Sequence, residues 1–121
     1  MASRILVVDD EPQIRRIMRV VLVSEGYEIV EAGCGEDALK LISSEQFDLV
    51  LLDINMPGIT GIELCREVRT SFDIPIPIVI MSAGEENRAR ALDAGANDYL
   101  KKPFGVSQIF SCVKLHLGEA A

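Results

Sequence analysis

The sequence predicts an α/β fold, a doubly wound (βα)5 arrangement in which a five-stranded parallel sheet has helices on both faces. Strand and helix signals alternate five times along the 121 residues, as in parallel sheets with crossover helices. Three of the predicted strands are continuous apolar runs, which is typical of strands that are buried on both faces. No linker or repeat interrupts the pattern, so we expect one domain, residues 1–121, with a core of about 3–117.

The predicted strands are short runs rich in large apolar residues. In chain order they are Ile5–Val8, Tyr27–Glu31, Leu49–Leu52, Ile76–Met81 and Asp98–Leu100. Five units of this length with right-handed crossovers favour the strand order 2-1-3-4-5, the flavodoxin-like order. Pro77 has no backbone donor, so we expect it at the first residue of its strand or where no ladder bond is needed.

Helical periodicity fills the intervals between the first strands. Pro12 suits the first turn of helix one, and Gly26 follows its end. The apolar residues of this helix are Ile14, Ile17, Met18, Val21 and Leu22. Helix two is predicted over roughly Gly35–Ser44, and helix three opens with Thr60-Gly-Ile-Glu63, which fits a capping box.

The last two helices differ in apolar content. Helix four, about Glu85–Ala94, is rich in alanine, has Leu92 as its large apolar residue and stops at Gly95. Because alanine buries little apolar area, we expect this helix to be the most weakly packed. Helix five carries one apolar face, made of Val106, Ile109, Phe110, Val113 and Leu117.

Composition argues against several classes of protein. The net charge of −7 disfavours nucleic-acid binding, which needs clustered lysine and arginine. No apolar run reaches about 18 residues, so no membrane span is expected, and the N-terminus does not resemble a signal peptide. The odd number and wide spacing of Cys34, Cys65 and Cys112 favour a reducing, cytoplasmic setting. Cys65 and Cys112 fall on apolar helix faces and are predicted core residues.

Chemically capable side chains follow four of the five predicted strands. They are Asp9 and Asp10 after strand one, Asp53 after strand three, Ser82 after strand four, and Lys102 after strand five. The carboxyl ends of parallel strands share one edge, where open α/β sheets bind their ligands. We therefore expect these residues to converge.

Three gathered acids repel one another. At about 4 Å and an effective dielectric of about 20, each pair costs about 4 kcal/mol, so the cluster holds either protons or a cation. An all-oxygen set favours Mg²⁺ or Mn²⁺ over zinc, and Mg²⁺ beside carboxylates supports phosphate chemistry. Asp53 is then the nucleophile that forms an acyl phosphate, while the Lys102 ammonium and the Ser82 hydroxyl contact phosphoryl oxygens.

Together these motifs resemble a response-regulator receiver domain of two-component signalling, in the CheY-like superfamily. The resemblance covers about residues 3–117. It rests on Asp9-Asp10, Asp53 with Met56-Pro57-Gly58 and Gly61, Ser82-Ala83, and Asp98-Tyr99-Leu100-Lys101-Lys102-Pro103-Phe104. It implies a signalling domain that catalyses only its own phosphorylation and dephosphorylation, rather than an enzyme with an external substrate.

The resemblance also implies how the acids are used. Asp53 would accept phosphate from the phosphohistidine of a sensor histidine kinase or phosphotransfer protein, or from a small phosphodonor. Asp10, Asp53 and the backbone carbonyl of Asn55 would coordinate Mg²⁺, with Asp9 assisting through water.

The remaining matched residues would read the phosphate. Lys102 would contact the phosphoryl group, Pro103 resembles the family's cis proline, and Lys101 would be a solvated charge. Ser82 and Tyr99 would form a switch pair that changes the face made by helix four, strand five and helix five (the α4–β5–α5 face). That face would control an output domain or a target protein.

The same face departs from one branch of the family. Receivers joined to winged-helix DNA-binding domains usually carry an acid and an arginine on helix five, where this chain has Gln108 and Cys112. Arg90 and Asp98 are kept. A charge-laced homodimer through this face is therefore in doubt, and the oligomeric state stays open.

Other functions and roles stay open as alternatives. A phosphatase with an aspartyl nucleophile needs a second Asp two residues later, where this chain has Asn55. A pseudo-receiver that acts only as a protein-binding scaffold would not need every acid and Lys102. Asp9 and Asp10 could also cap helix one, and Ser82 could cap helix four.

Three further residues carry smaller expectations. Gly84 leaves the mouth of the site without a side chain, so water should reach the acyl phosphate easily and the phosphate should be short-lived. Met56 is predicted to be a loop contact. His116 is predicted to lie on the polar face of helix five, with neither a phosphorelay nor a metal role.

Overall fold

A computed structural model of the chain describes residues 2–118, in which five strands alternate with five helices. In chain order the elements are β1 (Arg4–Val8), α1 (Pro12–Val23), β2 (Glu28–Ala32), α2 (Gly35–Ser44), β3 (Leu49–Asp53), α3 (Gly61–Thr70), β4 (Ile78–Ala83), α4 (Arg88–Asp93), β5 (Asp98–Lys102) and α5 (Val106–Leu117). No helix among the described residues is long and apolar enough to cross a membrane.

The five strands form one parallel sheet in the order β2-β1-β3-β4-β5, which confirms the predicted topology. Because β3 lies between β1 and β4, every residue of β3 is buried. The apolar runs in the sequence therefore belong to the interior strands, as expected for a sheet that is covered on both faces.

Side chains alternate between the two faces of each strand, and this alternation divides the core in two. Leu6 and Val8 of β1 pack in a cluster with residues of α2, α3 and α4. Ile5 and Val7 pack in a second cluster with residues of α1 and α5. The helices therefore cover the sheet in two layers, α1 and α5 on one face and the other three on the opposite face.

The strand boundaries differ from the prediction at several ends. β4 begins at Ile78 rather than Ile76, since Pro77 has no N–H to donate, although its carbonyl accepts the N–H of Val50 at 2.9 Å. β2 is shifted by one residue and runs over Glu28–Ala32. β3 and β5 continue to Asp53 and Lys102, so these two site residues lie on the strands themselves.

The fourth helix is shorter than predicted. α4 begins at Arg88 rather than Glu85, and its N-cap is Asn87, so the alternative in which Ser82 caps this helix is wrong. Ala91 and Ala94 are buried against the core, whereas the side chain of Leu92 is 45% exposed. Small residues thus face the sheet, in keeping with the predicted weak packing of this helix.

Two predicted apolar residues lie outside the core. Ile17 of α1 is 56% exposed and Val106 of α5 is 49% exposed, whereas Met18 and Leu22 on α1 are buried. The apolar stripe of each helix is thus wider than the area that packs on the sheet. α1 does begin at Pro12, as predicted.

The burial predicted for two of the three cysteines is confirmed. Cys65 and Cys112 are buried, and Cys34 is partly buried. All three are free thiols.

Candidate functional site

The carboxyl edge of the sheet brings the predicted acids together with Lys102. One carboxylate oxygen from each of Asp9, Asp10 and Asp53 lies within 4.8 Å of the others. The Nζ atom of Lys102 lies 3.0 Å from Asp53 Oδ1 and 3.3 Å from Asp9 Oδ2. Residues from three separate strand ends thus form one charged site.

The three acids differ in their exposure. Asp9 is fully buried and Asp53 is 4% exposed, whereas Asp10 is an exposed residue. Asp10 therefore lies at the open side of the site, and Asp53 and Lys102 lie deeper within it. A ligand that enters from solvent meets one solvated and two buried carboxylates.

Burial governs the electrostatics of Asp53. It raises the pKa of the Asp53 carboxyl, and the neighbouring Asp9 and Asp10 raise it further, while the hydrogen bond from Lys102 acts in the opposite direction. Burial also acts against the charged form of Lys102, but its contacts with Asp53 and Asp9 prevail and raise the pKa of the ammonium group. One lysine is thus too little positive charge to compensate all three acids.

This donor set fits a hard divalent cation. It consists of carboxylate oxygens, the ligands that Mg²⁺ and Mn²⁺ prefer, and their uncompensated charge would be relieved by a cation. Asn55, whose carbonyl was the fourth predicted ligand, is an exposed residue two positions after Asp53.

Asp9 binds the N-terminus of α1, although it is not the N-cap residue of that helix. Asp9 Oδ1 accepts the N–H of Glu11 at 3.0 Å, but the N-cap residue is Glu11 and its side chain makes no capping bond. Arg15 donates from Nη1 to the Asp9 carbonyl oxygen at 2.6 Å. Arg15 thereby positions the backbone of the acid pair, a role that the sequence did not reveal.

The N-terminus of α3 lies against the backbone of Asp53. Thr60 and Glu63 form the predicted capping box, with bonds of 3.2 Å and 3.1 Å. A Cβ atom on Gly61 would overlap the carbonyl oxygen of Asp53 and lie 2.9 Å from the Cα atom of Ile54. Only glycine lets this helix approach the backbone of Asp53 so closely.

Ser82 and Tyr99 lie on adjacent strands and are both buried, at 2% and 4% exposure. The hydroxyl of Ser82 makes one long bond, 3.4 Å to the carbonyl oxygen of Ala83. The hydroxyl of Tyr99 donates to the carbonyl oxygen of Gly84 at 3.0 Å. The guanidinium of Arg88, the first residue of α4, lies 4.9 Å from the centre of the Tyr99 ring. This is a cation–π contact that no pattern in the sequence indicates.

The loop after β4 modifies the expectation for Gly84. This residue has φ +79°, a conformation that favours glycine. A Cβ atom here would overlap the carboxylate of Glu86 and lie 3.0 Å from Glu86 Cδ. Gly84 itself presents no side chain, but the Glu86 carboxylate occupies the adjacent space.

The segment after β5 has the predicted geometry. The peptide bond between Lys102 and Pro103 is cis. Lys101 is exposed, and Lys102 is partly buried. Met56 is buried in the core cluster with α2 and α3, so it is a packing residue as well as a part of its loop.

His116 does not lie on an exposed polar face. Its side chain is 14% exposed, and its Nε2 atom lies 2.8 Å from Asp98 Oδ2. Arg90 instead donates to the side chain of Asn87 at 3.2 Å. Asp98 is therefore engaged within the chain.

Comparison with known proteins identifies the family. The family model for the response regulator receiver domain matches residues 5–114. The chain belongs to the response-regulator receiver domain family. It is a receiver domain of a two-component response regulator, and this family has a signalling role rather than that of a conventional enzyme.

Solved receiver structures are similar over nearly the whole chain. A putative response regulator from Chloroflexus aurantiacus is 34% identical, with a TM-score of 0.92 over 98% of this chain and 100% of that one. The response regulator TrrA from Thermotoga maritima, in complex with Mg²⁺-BeF, is 42% identical, with a TM-score of 0.86 over 94% and 98%. The chemotaxis protein CheY4 from Vibrio cholerae is 29% identical, with a TM-score of 0.89 over 95% and 98%.

Proposed function

We propose that this receiver domain is switched by phosphorylation of Asp53. The observation that carries the proposal is the environment of the Asp53 carboxylate. It is buried at the end of β3, 3.0 Å from the Lys102 ammonium and beside two further acids. A buried carboxylate, a counter-charge and further acidic ligands at one edge of the sheet support a nucleophile that works beside a bound cation.

The phosphoryl donor is the phosphohistidine of a sensor histidine kinase or phosphotransfer protein, or a small phosphodonor. An oxygen of Asp53 attacks phosphorus, an O–P bond forms and the P–N bond to the imidazole breaks. The leaving imidazole takes up a proton from solvent. The product is an acyl phosphate, which water later hydrolyses.

The residues around Asp53 stabilise the group that is transferred. Mg²⁺, when bound by Asp10, Asp53 and the Asn55 carbonyl with Asp9 acting through water, supplies positive charge that offsets the acids and the phosphoryl oxygens. The Lys102 ammonium already reaches Asp53 and would pair with one phosphoryl oxygen. The positive charge of the ammonium group then stabilises the negative charge that develops on the phosphoryl oxygens in the transition state.

Ser82 and Tyr99 connect the phosphate to the α4–β5–α5 face. The long bond of the Ser82 hydroxyl is weak, so this hydroxyl is readily redirected toward a phosphoryl oxygen. Tyr99 contacts both the Gly84 carbonyl and Arg88 of α4. A shift of the β4–α4 loop would therefore change the position of the Tyr99 ring. The altered face would control an output domain, a target protein or a homodimer.

The two conformers need differ by only a few kcal/mol for phosphate to shift their populations. Because α4 packs through small residues, we expect the shift in that helix. We expect hydrogen exchange to change in the β4–α4 loop and α4 on phosphorylation. A change confined to α1 would contradict this assignment.

Mass spectrometry of the intact domain tests the phosphoacceptor. With acetyl phosphate and Mg²⁺, the protein should gain the mass of one phosphoryl group. Asp53→Asn should gain none, and the exposed Asp37→Asn, as a matched control, should behave as the unmodified chain. Chelation of the divalent cation should also abolish the gain.

Each alternative gives a different result. A pseudo-receiver scaffold would show no mass shift with any phosphodonor. An aspartyl phosphatase would turn over external phosphomonoesters repeatedly. A phosphoryl group retained by Asp53→Asn would show that another residue accepts it.

A further inference from the structure

A second cluster of potential metal ligands lies between β5 and α5. It consists of Asp98, Cys112 and His116, each of which offers one ligand atom, and these atoms lie within 4.8 Å of one another. The cluster shares no residue with the acidic site. Asp98 begins β5, whereas Lys102 of the acidic site ends the same strand.

Two backbone periodicities bring these side chains together. Leu100 packs in the core cluster of α1 and α5, and Asp98 lies two residues earlier on the same face of β5. Cys112 and His116 are four residues apart on α5 and therefore lie on one side of that helix. The strand supplies one ligand and the helix supplies two.

The carboxylate of Asp98 is already oriented toward the helix. Its Oδ1 atom accepts the backbone N–H of Tyr99 at 2.8 Å, and its Oδ2 atom lies 2.8 Å from His116 Nε2. Metal-ligating carboxylates in proteins are commonly held in this way by a second hydrogen bond.

The cluster is sheltered but open on one side. Cys112 is 9% exposed, and the side chain of His116 is 14% exposed. The side chain of Asp98 is 36% exposed, so an ion can enter past it. Partial burial of this kind limits competition from water.

The thiol of Cys112 is poorly suited to redox signalling when no ion is bound. Burial, together with the negative charge of Asp98, raises its pKa to about 12. Because the thiolate is the reactive form, such a thiol is a weak nucleophile. A bound cation removes this obstacle, since a coordinating thiol is deprotonated.

We propose that Asp98, Cys112 and His116 bind Zn²⁺ through Oδ2, Sγ and Nε2. A set of one thiolate, one imidazole and one carboxylate suits zinc, whereas Mg²⁺ takes oxygen ligands. Zinc bonds of about 2.0–2.3 Å place tetrahedral ligand atoms roughly 3.3–3.7 Å apart. Asp98 Oδ2 and His116 Nε2, which lie 2.8 Å apart, would therefore separate by roughly 0.5 Å, and no pair of ligand atoms would need to approach by more than about 1.5 Å. The fourth position is left to water or to a ligand from a partner.

Titration of the metal-free domain with Zn²⁺ against a chromophoric chelator tests the site. Excess Mg²⁺ is present to compete with zinc for the acidic cluster. One equivalent should bind to the unmodified chain. Cys112→Ser and His116→Gln should each weaken the affinity by more than about 100-fold, because loss of an outer-sphere partner alone costs roughly 10- to 100-fold.

Two control variants locate the binding. Cys34→Ser removes a thiol outside the cluster, and Asp53→Asn removes an acid of the other site. Both should bind zinc as the unmodified chain does. Urea unfolding of each variant checks that it is folded, and His116→Gln tests the site even if the buried Cys112 tolerates no change.

Cobalt provides a second, independent readout. Co²⁺ bound by a thiolate gives an intense ligand-to-metal charge-transfer absorption band in the near ultraviolet. The Cys112→Ser variant should lose this band. The proposal is overturned if the unmodified chain binds no zinc in excess Mg²⁺. It is equally overturned if the folded His116→Gln and Cys112→Ser variants keep the original affinity.

Discussion

The two ends of β5 carry clusters that differ in chemistry and in how the fold assembles them. At its carboxyl end, Lys102 joins three acids that offer only oxygen ligands. At its amino end, Asp98 joins a thiol and an imidazole from α5. The first cluster suits a hard cation and phosphate, and the second suits zinc.

The difference shows which features of a fold are visible along the chain. Strand ends gather at one edge in any parallel sheet, so residues after the strands can be grouped before a structure is known. The pairing of Asp98 with α5 depends on which face of β5 that residue occupies and on how α5 is rotated against the sheet.

The largest expected effect is a separation of the two clusters by single substitutions. Asp53→Asn should abolish phosphorylation by acetyl phosphate and keep zinc binding, whereas Cys112→Ser should do the reverse. Intact-mass measurements and zinc titrations on both variants check this. If a folded Cys112→Ser chain could no longer be phosphorylated, the clusters would not be independent.

The acidic cluster also depends on a close backbone contact, which Gly61→Ala would break. Because the added Cβ atom overlaps the Asp53 carbonyl oxygen, we expect a loss of about 3 kcal/mol in the free energy of unfolding and slower phosphorylation. Urea unfolding measures the loss. Gly105→Ala is the control, since its Cβ atom would meet only Gln108 Oε1 at 3.8 Å. Equal losses in both variants would contradict the special role of Gly61.

The raised pKa of Asp53 predicts how stability depends on pH in the absence of a divalent cation. A carboxyl whose pKa is higher in the folded state than in the unfolded state stabilises the fold below its ordinary pKa of 3.8, and this contribution is lost as the pH rises through the folded value. Asp53→Asn should therefore be more stable than the unmodified chain at neutral pH.

Urea unfolding with a chelator present, from about pH 8 toward about pH 4, measures that difference. It should shrink as the pH falls, because Asp53 becomes protonated. Asp37→Asn should show no such trend. A difference that grew toward acid pH would mean that Lys102 outweighs burial and lowers the pKa of Asp53.

The smallest expected effect concerns the proposed switch. Tyr99→Phe removes the hydroxyl that donates to Gly84 at 3.0 Å and should cost about 1 kcal/mol of unfolding free energy. Hydrogen exchange should increase in the β4–α4 loop and α4 and stay unchanged in α2. Increased exchange throughout the domain would show that Tyr99 is a core residue without a local role.

The order of the strands and the convergence of the acids could be predicted because both follow from alternation of elements and from strand ends. The start of α4 could not, since the segment 85–87 has helix-compatible residues, yet the helix begins at Arg88 with Asn87 as its N-cap. The roles of Arg15 and Arg88 were also missed. Their guanidinium groups contact a carbonyl oxygen and a ring that belong to other elements or loops, and no local pattern indicates these contacts.

His116 shows the same limit within a single helix. Its position near the end of an amphipathic helix predicted a polar face, yet it contacts Asp98, 18 residues earlier. Periodicity indicates which residues share a side of a helix, but not what that side faces.

The sequence by itself determined the parallel sheet, its strand order, the capping box of α3 and the meeting of Asp9, Asp53 and Lys102. These follow from local periodicity and from the rule that parallel strands end at one edge. Only the tertiary structure decided how far each acid is buried, how closely Gly61 approaches Asp53, and that Asp98 meets α5. Those depend on distances between elements, which side-chain packing sets and no local pattern encodes.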